Sequence, residues 1–317
     1  MSNPHRPATP DPERSHGDWR QPADVPAPDN ELQPSDEIEP PPRLDPNNEH
    51  LHDHVEHSAK LLCCLDFDGT LAPIVSEPTD AALPSANREA LQQLAAEPAV
   101  HVAIVSGRAL SDLRSRVPAP VTLVGNHGLE LEREGKRAIH PVANKQSTGV
   151  ATCCGLLETI LEPLGDCRVE YKDLTGTVHL RSLPAGARRH VRTTVEQIVE
   201  NRAGECVELS TGKDVLELRP AMNWGKGDAV ELLLAREPAG TQAIYLGDDT
   251  TDEHAFATVE PDGLGILVGE RQPSAASRRV DSPATVARLL EWLAEEGTAQ
   301  LEPVTGANTG VATFSES

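Results

Sequence analysis

The chain has 317 residues, enough to bury a sizeable core, and its 50 acidic against 28 basic residues give a formal charge of −22. A field of that sign repels phosphate backbones and anionic headgroups, which argues against nucleic acid or an anionic membrane as a general partner and requires local cations for any anionic substrate. The opening MSNPHRPATPDPER lacks the apolar core of a signal peptide, and no segment approaches the ~20 apolar residues a transmembrane helix needs.

The first 59 residues hold 12 of the 27 prolines and 13 acidic against four basic residues, with almost no apolar run. Such a stretch cannot bury enough surface to offset its chain entropy, so residues 1–57 read as a disordered acidic arm. At its end, EHLHDHVEH carries His50, His52, His54 and His57. Helical spacing would gather His50, His54 and His57 on one face suited to a transition metal; clustered polar residues beside a boundary more often form solvated linker.

The run LLCCLDF (61–67) is continuously apolar and stops before a glycine, as a buried parallel strand does. SANREALQQLAAEP (85–98) has helical periodicity, VHVAIVSG (100–107) is a second buried strand, SDLRSRVP (111–118) a helix and VTLVGNHG (121–128) a third strand. Strand and helix in short alternation predict a parallel α/β sheet. The rhythm breaks after about residue 133. A helix in 147–164, short strands in 167–172 and 176–182, a helix in 187–201 and strands in 206–210 and 214–220 suggest an inserted α+β unit over 134–220. Alternation resumes with helix 225–238, strand 242–249, helix 251–259, strand 264–269 and an amphipathic helix 282–296, so the core spans 58–133 and 221–296. Residues 297–317, rich in Gly, Thr, Ala and Ser, read as a flexible tail. The paired cysteines Cys63–Cys64 and Cys153–Cys154 sit in apolar runs without CxxC spacing, which fits reduced thiols in a cytoplasmic protein.

Open α/β sheets place ligands beyond the carboxyl ends of their strands. Those ends here carry Asp66 and Asp68, then Ser106, Gly107 and Arg108, then Asn126 and His127, then Asp248 and Asp249, while Lys226 opens a helix leading into the last of these strands. Any one alone reads as a cap or turn residue. Carboxylates converging on one rim repel one another unless something compensates them, and a divalent cation with a taste for hard oxygen, Mg²⁺, is the natural compensation. With a phosphoryl group held there, Ser106 and Lys226 supply donor and cation, one carboxylate can attack phosphorus, and its neighbour two residues on can move the proton. STGK (210–213) and GLGILVG (263–269) lack the spacing of phosphate- or dinucleotide-binding loops and read as turn and strand.

The set DFDGT, SGR, a late Lys and GDD resembles the four motifs of haloacid-dehalogenase-like phosphatases. Within that superfamily the strings DFDGTLAPI, VSGR, GNHGLE, ELRP followed by KG, and YLGDDTTDEHAF resemble the trehalose-6-phosphate phosphatases over roughly residues 61–295. The resemblance implies a Rossmann-like haloacid-dehalogenase-type core with an inserted α+β cap, and a Mg²⁺-dependent hydrolysis of trehalose 6-phosphate through an aspartyl-phosphate. It makes Asp66 the nucleophile and Asp68 the general acid/base. Asp66, Asp68 through its carbonyl, and Asp248 would hold the metal, with Asp249 and Asp252 behind them, while Ser106, Gly107 and Lys226 grip phosphate. The cap would read the sugar through Glu170, Lys172, His179, Arg181, Lys213 and Glu217, with Arg108 and His127 facing substrate from the core. Association with a trehalose-6-phosphate synthase is a further implication. DLTGT (173–177) and HLR in place of HYR depart from the family pattern at the sugar side. A phosphatase of another sugar phosphate, of sucrose or glucosylglycerol type, and a catalytically silent sugar-phosphate sensor are the alternative readings.

Overall fold

In β1 (Lys60–Leu65) successive side chains point to opposite faces, and both faces are apolar. Leu61, Cys63 and Leu65 enter one core layer, and Leu62 and Cys64 the other, so the strand can sit only in the middle of a sandwich with helices on both sides. The computed structural model, which describes residues 39–44, 49–56, 58–212, 214–260 and 262–301, builds that sandwich. Along the chain follow α2 (Ser85–Ala96), β2 (Val100–Val105), α3 (Leu110–Arg116), β3 (Thr122–Gly125) and a hairpin of β4 (Glu130–Arg133) and β5 (Lys136–Ile139). After the insertion come α6 (Lys226–Leu234), β10 (Thr241–Gly247), α7 (Glu253–Val259), β11 (Leu264–Val268), β12 (Arg278–Val280) and α8 (Pro283–Trp292). The sheet order is β12-β11-β10-β1-β2-β3-β4-β5, parallel except for the β4–β5 hairpin at one edge. Helices α2 and α8 cover the first layer, α6 and α7 the second.

The α/β class with its inserted cap is as the sequence predicts, with differences at the boundaries. Sequence pattern ends the first core segment at 133, but β5 pairs with β4 from Arg133↔Lys136 to Glu130↔Ile139, so the eight-stranded sheet runs on to Ile139. The disordered-arm reading of 1–57 is corrected at its end. Residues Pro42 to Leu44 bond to Arg279 at the β12 edge, and α1 (Glu49–Glu56) buries Leu51 and Val55 completely in the first core layer. Their i, i+4 spacing gives one apolar stripe, enough to dock a short helix whose composition is otherwise polar. His52 stacks edge-on against Trp292 and bonds Gln300 at 2.9 Å, and His54 Nε2 lies 2.8 Å from the Gly263 carbonyl. His57 and the residues before 39 lie outside the described residues. The flexible-tail reading is likewise corrected at its start: the helix continues through Gly297, a turn spans Thr298–Gln300, and Leu301 packs on the core, while residues 302–317 lie outside the described residues.

The insertion comprises α4 (Pro141–Leu161), β6 (Arg168–Tyr171), β7 (Gly176–His179), α5 (Ala185–Arg202), β8 (Val207–Gly212) and β9 (Val215–Pro220). Pro141 at the first helical position and the His140 ring accepting from Val142 N start α4 six residues before the apolar pattern suggests. The four strands form an antiparallel sheet in the order β6-β7-β9-β8. One face presents Val178, Leu216 and Leu218 to α4 and α5, closing a separate core. The other face is polar, and the register aligns Glu170, Thr177, Glu217 and Ser210 in one row across all four strands. The two chain crossings into the core lie together, with the His140 and Trp224 rings 4.8 Å apart.

Candidate active site

Strands β1 and β10 are neighbours whose onward connections run to opposite sides, the arrangement that opens a crevice at their carboxyl ends. Asp66 follows β1 directly and Asp248 follows β10. Lys226 is the first residue of α6, where its charge opposes the helix dipole; what holds it there is a pair of carboxylates. Its Nζ lies 3.1 Å from Asp66 Oδ1 and 2.8 Å from Asp252 Oδ1, and all three side chains are almost wholly buried. Asp252 is saturated: Oδ1 also accepts from Tyr245 OH at 2.6 Å, and Oδ2 accepts from the backbone N–H groups of Asp248 and Asp249 at 3.0 and 2.9 Å. Asp249 is exposed and caps the short turn that presents Asp252, accepting from Thr250 N at 2.7 Å.

Among the described residues, oxygens of Asp66, Asp248 and Asp252 lie within 4.8 Å of one another. Burial pushes Asp66 well above the usual carboxylate range; Lys226 opposes this, and Asp252, Asp248 and Asp68 add to it. Burial and then Asp252 lift Asp248 to about 7 against the pull of Lys226. Asp252 stays low despite its burial because Lys226 and Tyr245 hold its charge, and Lys226 in turn is pushed up by Asp252 and Asp66 although burial opposes it. Among the described residues, the buried Asp248 Oδ1 has no hydrogen-bond partner. A carboxylate oxygen without a partner beside a second carboxylate can take a cation, and the all-oxygen donor set suits Mg²⁺. Gly69, at φ 82, turns the chain under this group, where a Cβ would run into the Asp248 carboxylate.

The Asp68 carboxylate is not in that group. Arg108 holds it by a two-point fork, Nε to Oδ2 at 2.6 Å and Nη2 to Oδ1 at 2.7 Å, and Arg108 is itself braced by Asp112 at 2.7 Å and the Pro78 carbonyl at 2.9 Å. Ser106 is buried and its Oγ accepts from Arg108 N at 3.3 Å. Gly107 leaves room for the His127 ring, which a Cβ would strike. His127 has a left-handed φ of 58 and stands 3.7 Å from Glu217 of the cap. Burial lowers the His127 pKa even with Glu217 opposite.

The structure therefore brings Asp66, Ser106, His127, Lys226, Asp248 and Asp252 to one rim, with Glu217 facing it across the cleft. Glu170 and His179 pair with each other at 3.0 Å on the same cap face, and that bond holds the Glu170 carboxyl below its ordinary value. Arg181 points instead to the loop after Asp68, donating to the Ser76 carbonyl at 3.0 Å. Lys213 lies outside the described residues. Sequence reasoning missed Tyr245 and Asp112, which position the site, and placed Asn126 at the rim without a role. A hydroxyl inside the apolar strand QAIYLGDD is the signal that could have found Tyr245. A cavity of about 390 Å³ lined by His101, Thr122 and Arg133 lies at the other ends of the strands and includes none of these residues.

The trehalose-phosphatase family model matches residues 64–284. An uncharacterized glycosyl hydrolase of Mycobacterium tuberculosis is 37% identical over 243 residues, covering 73% of this chain and 18% of that protein. The trehalose-phosphate phosphatase of the same organism is 36% identical over 242 residues, covering 73% of this chain and 60% of that protein. The chain thus spans about a fifth and three-fifths of the lengths of these two relatives. The crystal structure of a trehalose-6-phosphate phosphatase related protein superposes with a TM-score of 0.67 at 25% identity, covering 75% of this chain and 99% of that one. The matched segment carries both halves of the core, the cap between them and every carboxylate of the rim, and the chain belongs to the trehalose-phosphatase family.

Proposed function

We propose that this chain is a Mg²⁺-dependent phosphatase that hydrolyses trehalose 6-phosphate to trehalose and phosphate. The observation that carries the reading is the buried Asp66 and Lys226 beside the half-buried Asp248, whose Oδ1 has no partner among the described residues, with a polar face on the cap. Asp66, Asp248 and the carbonyl of Asp68 would hold the ion, with Asp252 and Asp249 fixing the loop that presents Asp248. When bound, such an ion neutralises phosphoryl oxygens.

The chain's own groups then divide the work. Lys226 and Ser106 hold the phosphoryl oxygens, Lys226 by charge and Ser106 as a donor. Asp66 attacks phosphorus; as the bond to the sugar oxygen breaks, Asp68 gives that oxygen its proton and trehalose leaves. Asp68 next takes a proton from water, which attacks the aspartyl-phosphate and frees phosphate and Asp66. The fork from Arg108 favours the charged Asp68 carboxylate, the form that takes a proton from water; Asp68 carries its proton to the sugar oxygen turned out of that fork. Glu170, Lys172, His179 and Glu217 offer the paired donors and acceptors that sugar hydroxyls need, Lys213 is carried as their partner from the family resemblance, and the cap excludes bulk water.

Phosphate release from a panel of sugar phosphates, with Mg²⁺ and with chelator, tests this. Release from trehalose 6-phosphate alone, abolished by chelator, is expected. Preference for a sucrose- or glucosylglycerol-type phosphate would move the substrate, and binding without release would make the chain a sensor. Association with a trehalose-6-phosphate synthase belongs to the same reading and is checked by co-elution of the two proteins.

A further inference from the structure

Asn126 is completely buried, sits at φ 48, and spends every polar group on two different bodies. Asparagine tolerates that left-handed backbone better than other side chains do. Toward the core, its N–H donates to the Arg108 carbonyl at 2.8 Å and its Nδ2 to Glu130 Oε1 at 2.6 Å. That same Glu130 oxygen accepts from Leu110 N at 2.8 Å, which fixes the start of α3, while Arg137 holds the other oxygen at 2.6 Å. Toward the cap, Nδ2 donates to the Lys172 carbonyl at 2.9 Å and Oδ1 accepts from Thr175 Oγ1 at 2.6 Å. With an acceptor pair on one side and a hydroxyl on the other, only this orientation of the amide satisfies all partners.

The cap piece that Asn126 grips is itself stiff. Lys172 N bonds Thr175 O at 2.8 Å, Leu174 N bonds Lys172 O at 2.7 Å, and Leu174 is buried with Leu129 and Ala143. The turn 172–175 therefore moves as a unit, and it carries Lys172, whose charge acts on Glu217. A displacement of the turn must either break buried hydrogen bonds or drag Asn126, and with it the 108–110 segment that aims Arg108 at Asp68.

We infer that Asn126 is a positioning residue that couples the seat of the cap to the Arg108 and Asp68 pair. The kinetic part of this inference rests on the phosphatase reading above; the structural part does not. Thr175→Val removes one hydroxyl in the cap and touches nothing at Arg108. Amide hydrogen exchange of the peptide covering 106–113 should speed up in Thr175→Val, and more in Asn126→Asp, whose carboxylate faces Glu130 and the Lys172 carbonyl. Unchanged exchange there in Thr175→Val overturns the coupling whether or not the chain is a phosphatase. In turnover, Asn126→Asp should lower kcat about tenfold or more on trehalose 6-phosphate and on 4-nitrophenyl phosphate alike, because the loss lies at Asp68. Thr175→Val should lower both to a smaller extent. A Thr175→Val effect confined to KM for trehalose 6-phosphate would confine the residue to the cap and overturn the inference. No release from any sugar phosphate by the wild type would fail the phosphatase reading and leave the exchange result to decide the coupling.

Discussion

Arg108 and Asp68 face each other as planar groups, joined by two parallel hydrogen bonds of 2.6 and 2.7 Å. A lysine has the charge but not the fork, so it cannot hold a carboxylate at two points. Arg108→Lys should lower kcat about tenfold to a hundredfold, the usual scale for a misaimed catalytic group, with the folded state retained. Steady-state phosphate release checks this, and wild-type turnover would remove Arg108 from the mechanism.

Asp66→Asn keeps the shape of the side chain and removes both its charge and its nucleophile. Turnover should fall by about a thousandfold or more. Burial and three neighbouring carboxylates already disfavour the charge, so the thermal midpoint in metal-free buffer should hold or rise. Retained turnover would sink the nucleophile assignment.

Lys226→Met leaves Asp66 and Asp252 facing each other without their cation. Removing one partner of a buried ion pair costs about 3–5 kcal/mol, which urea unfolding at neutral pH would read as a fall in the midpoint. A loss near zero would mean that the carboxylates take up protons instead.

Metal binding can be read without turnover. Mg²⁺ at a hundredfold excess over its Kd should stabilise the wild type by about 2.7 kcal/mol, seen as a rise in thermal midpoint. Asp248→Ala removes the orphaned oxygen and should abolish that rise; a rise that survives would place the ion elsewhere.

Burial raises the Glu217 carboxyl, but the neighbouring His127 ring at 3.7 Å, with Lys172 and Arg219, outweighs it and holds the group at about 2. The unfolded chain titrates this carboxyl near ~4.3. A folded value below the unfolded one stabilises the protein at pH above the unfolded value, and that stability is lost as pH falls toward the folded one. Glu217→Gln should therefore be less stable than wild type at pH 7 by about 2–3 kcal/mol, with the gap closing between roughly pH 4.5 and 2. Urea midpoints for both proteins across that range provide the check.

The core was legible because its strands are apolar on both faces and its rim residues follow them at once; LLCCLDFDG states strand, turn and carboxylates in nine letters. The hairpin of β4 and β5 was not, since ELEREGKRAI is charged and has one solvated face, so it resembles a boundary. Helix α1 disappeared into the average composition of the acidic arm, although Leu51 and Val55 mark its stripe. At the site, residue types gave the carboxylates and the lysine. The bonds from Tyr245 to Asp252 and from Asn126 to Thr175 depend on side chains meeting in space, Asn126 and Thr175 across two bodies, and no local pattern encodes them.

The adjacency of His140 and Trp224 bears on how the chain reaches this state. The central pairing of β1 with β10 joins Lys60–Leu65 to Thr241–Gly247, a contact distant in sequence whose closure costs chain entropy and slows folding. An insertion that folds on its own core and brings its two ends side by side shortens that loop before the strands meet. The crossing point thus ties the closure of the central sheet to that of the cap: with the cap formed, the chain length that separates β1 from β10 is spanned by a structured unit.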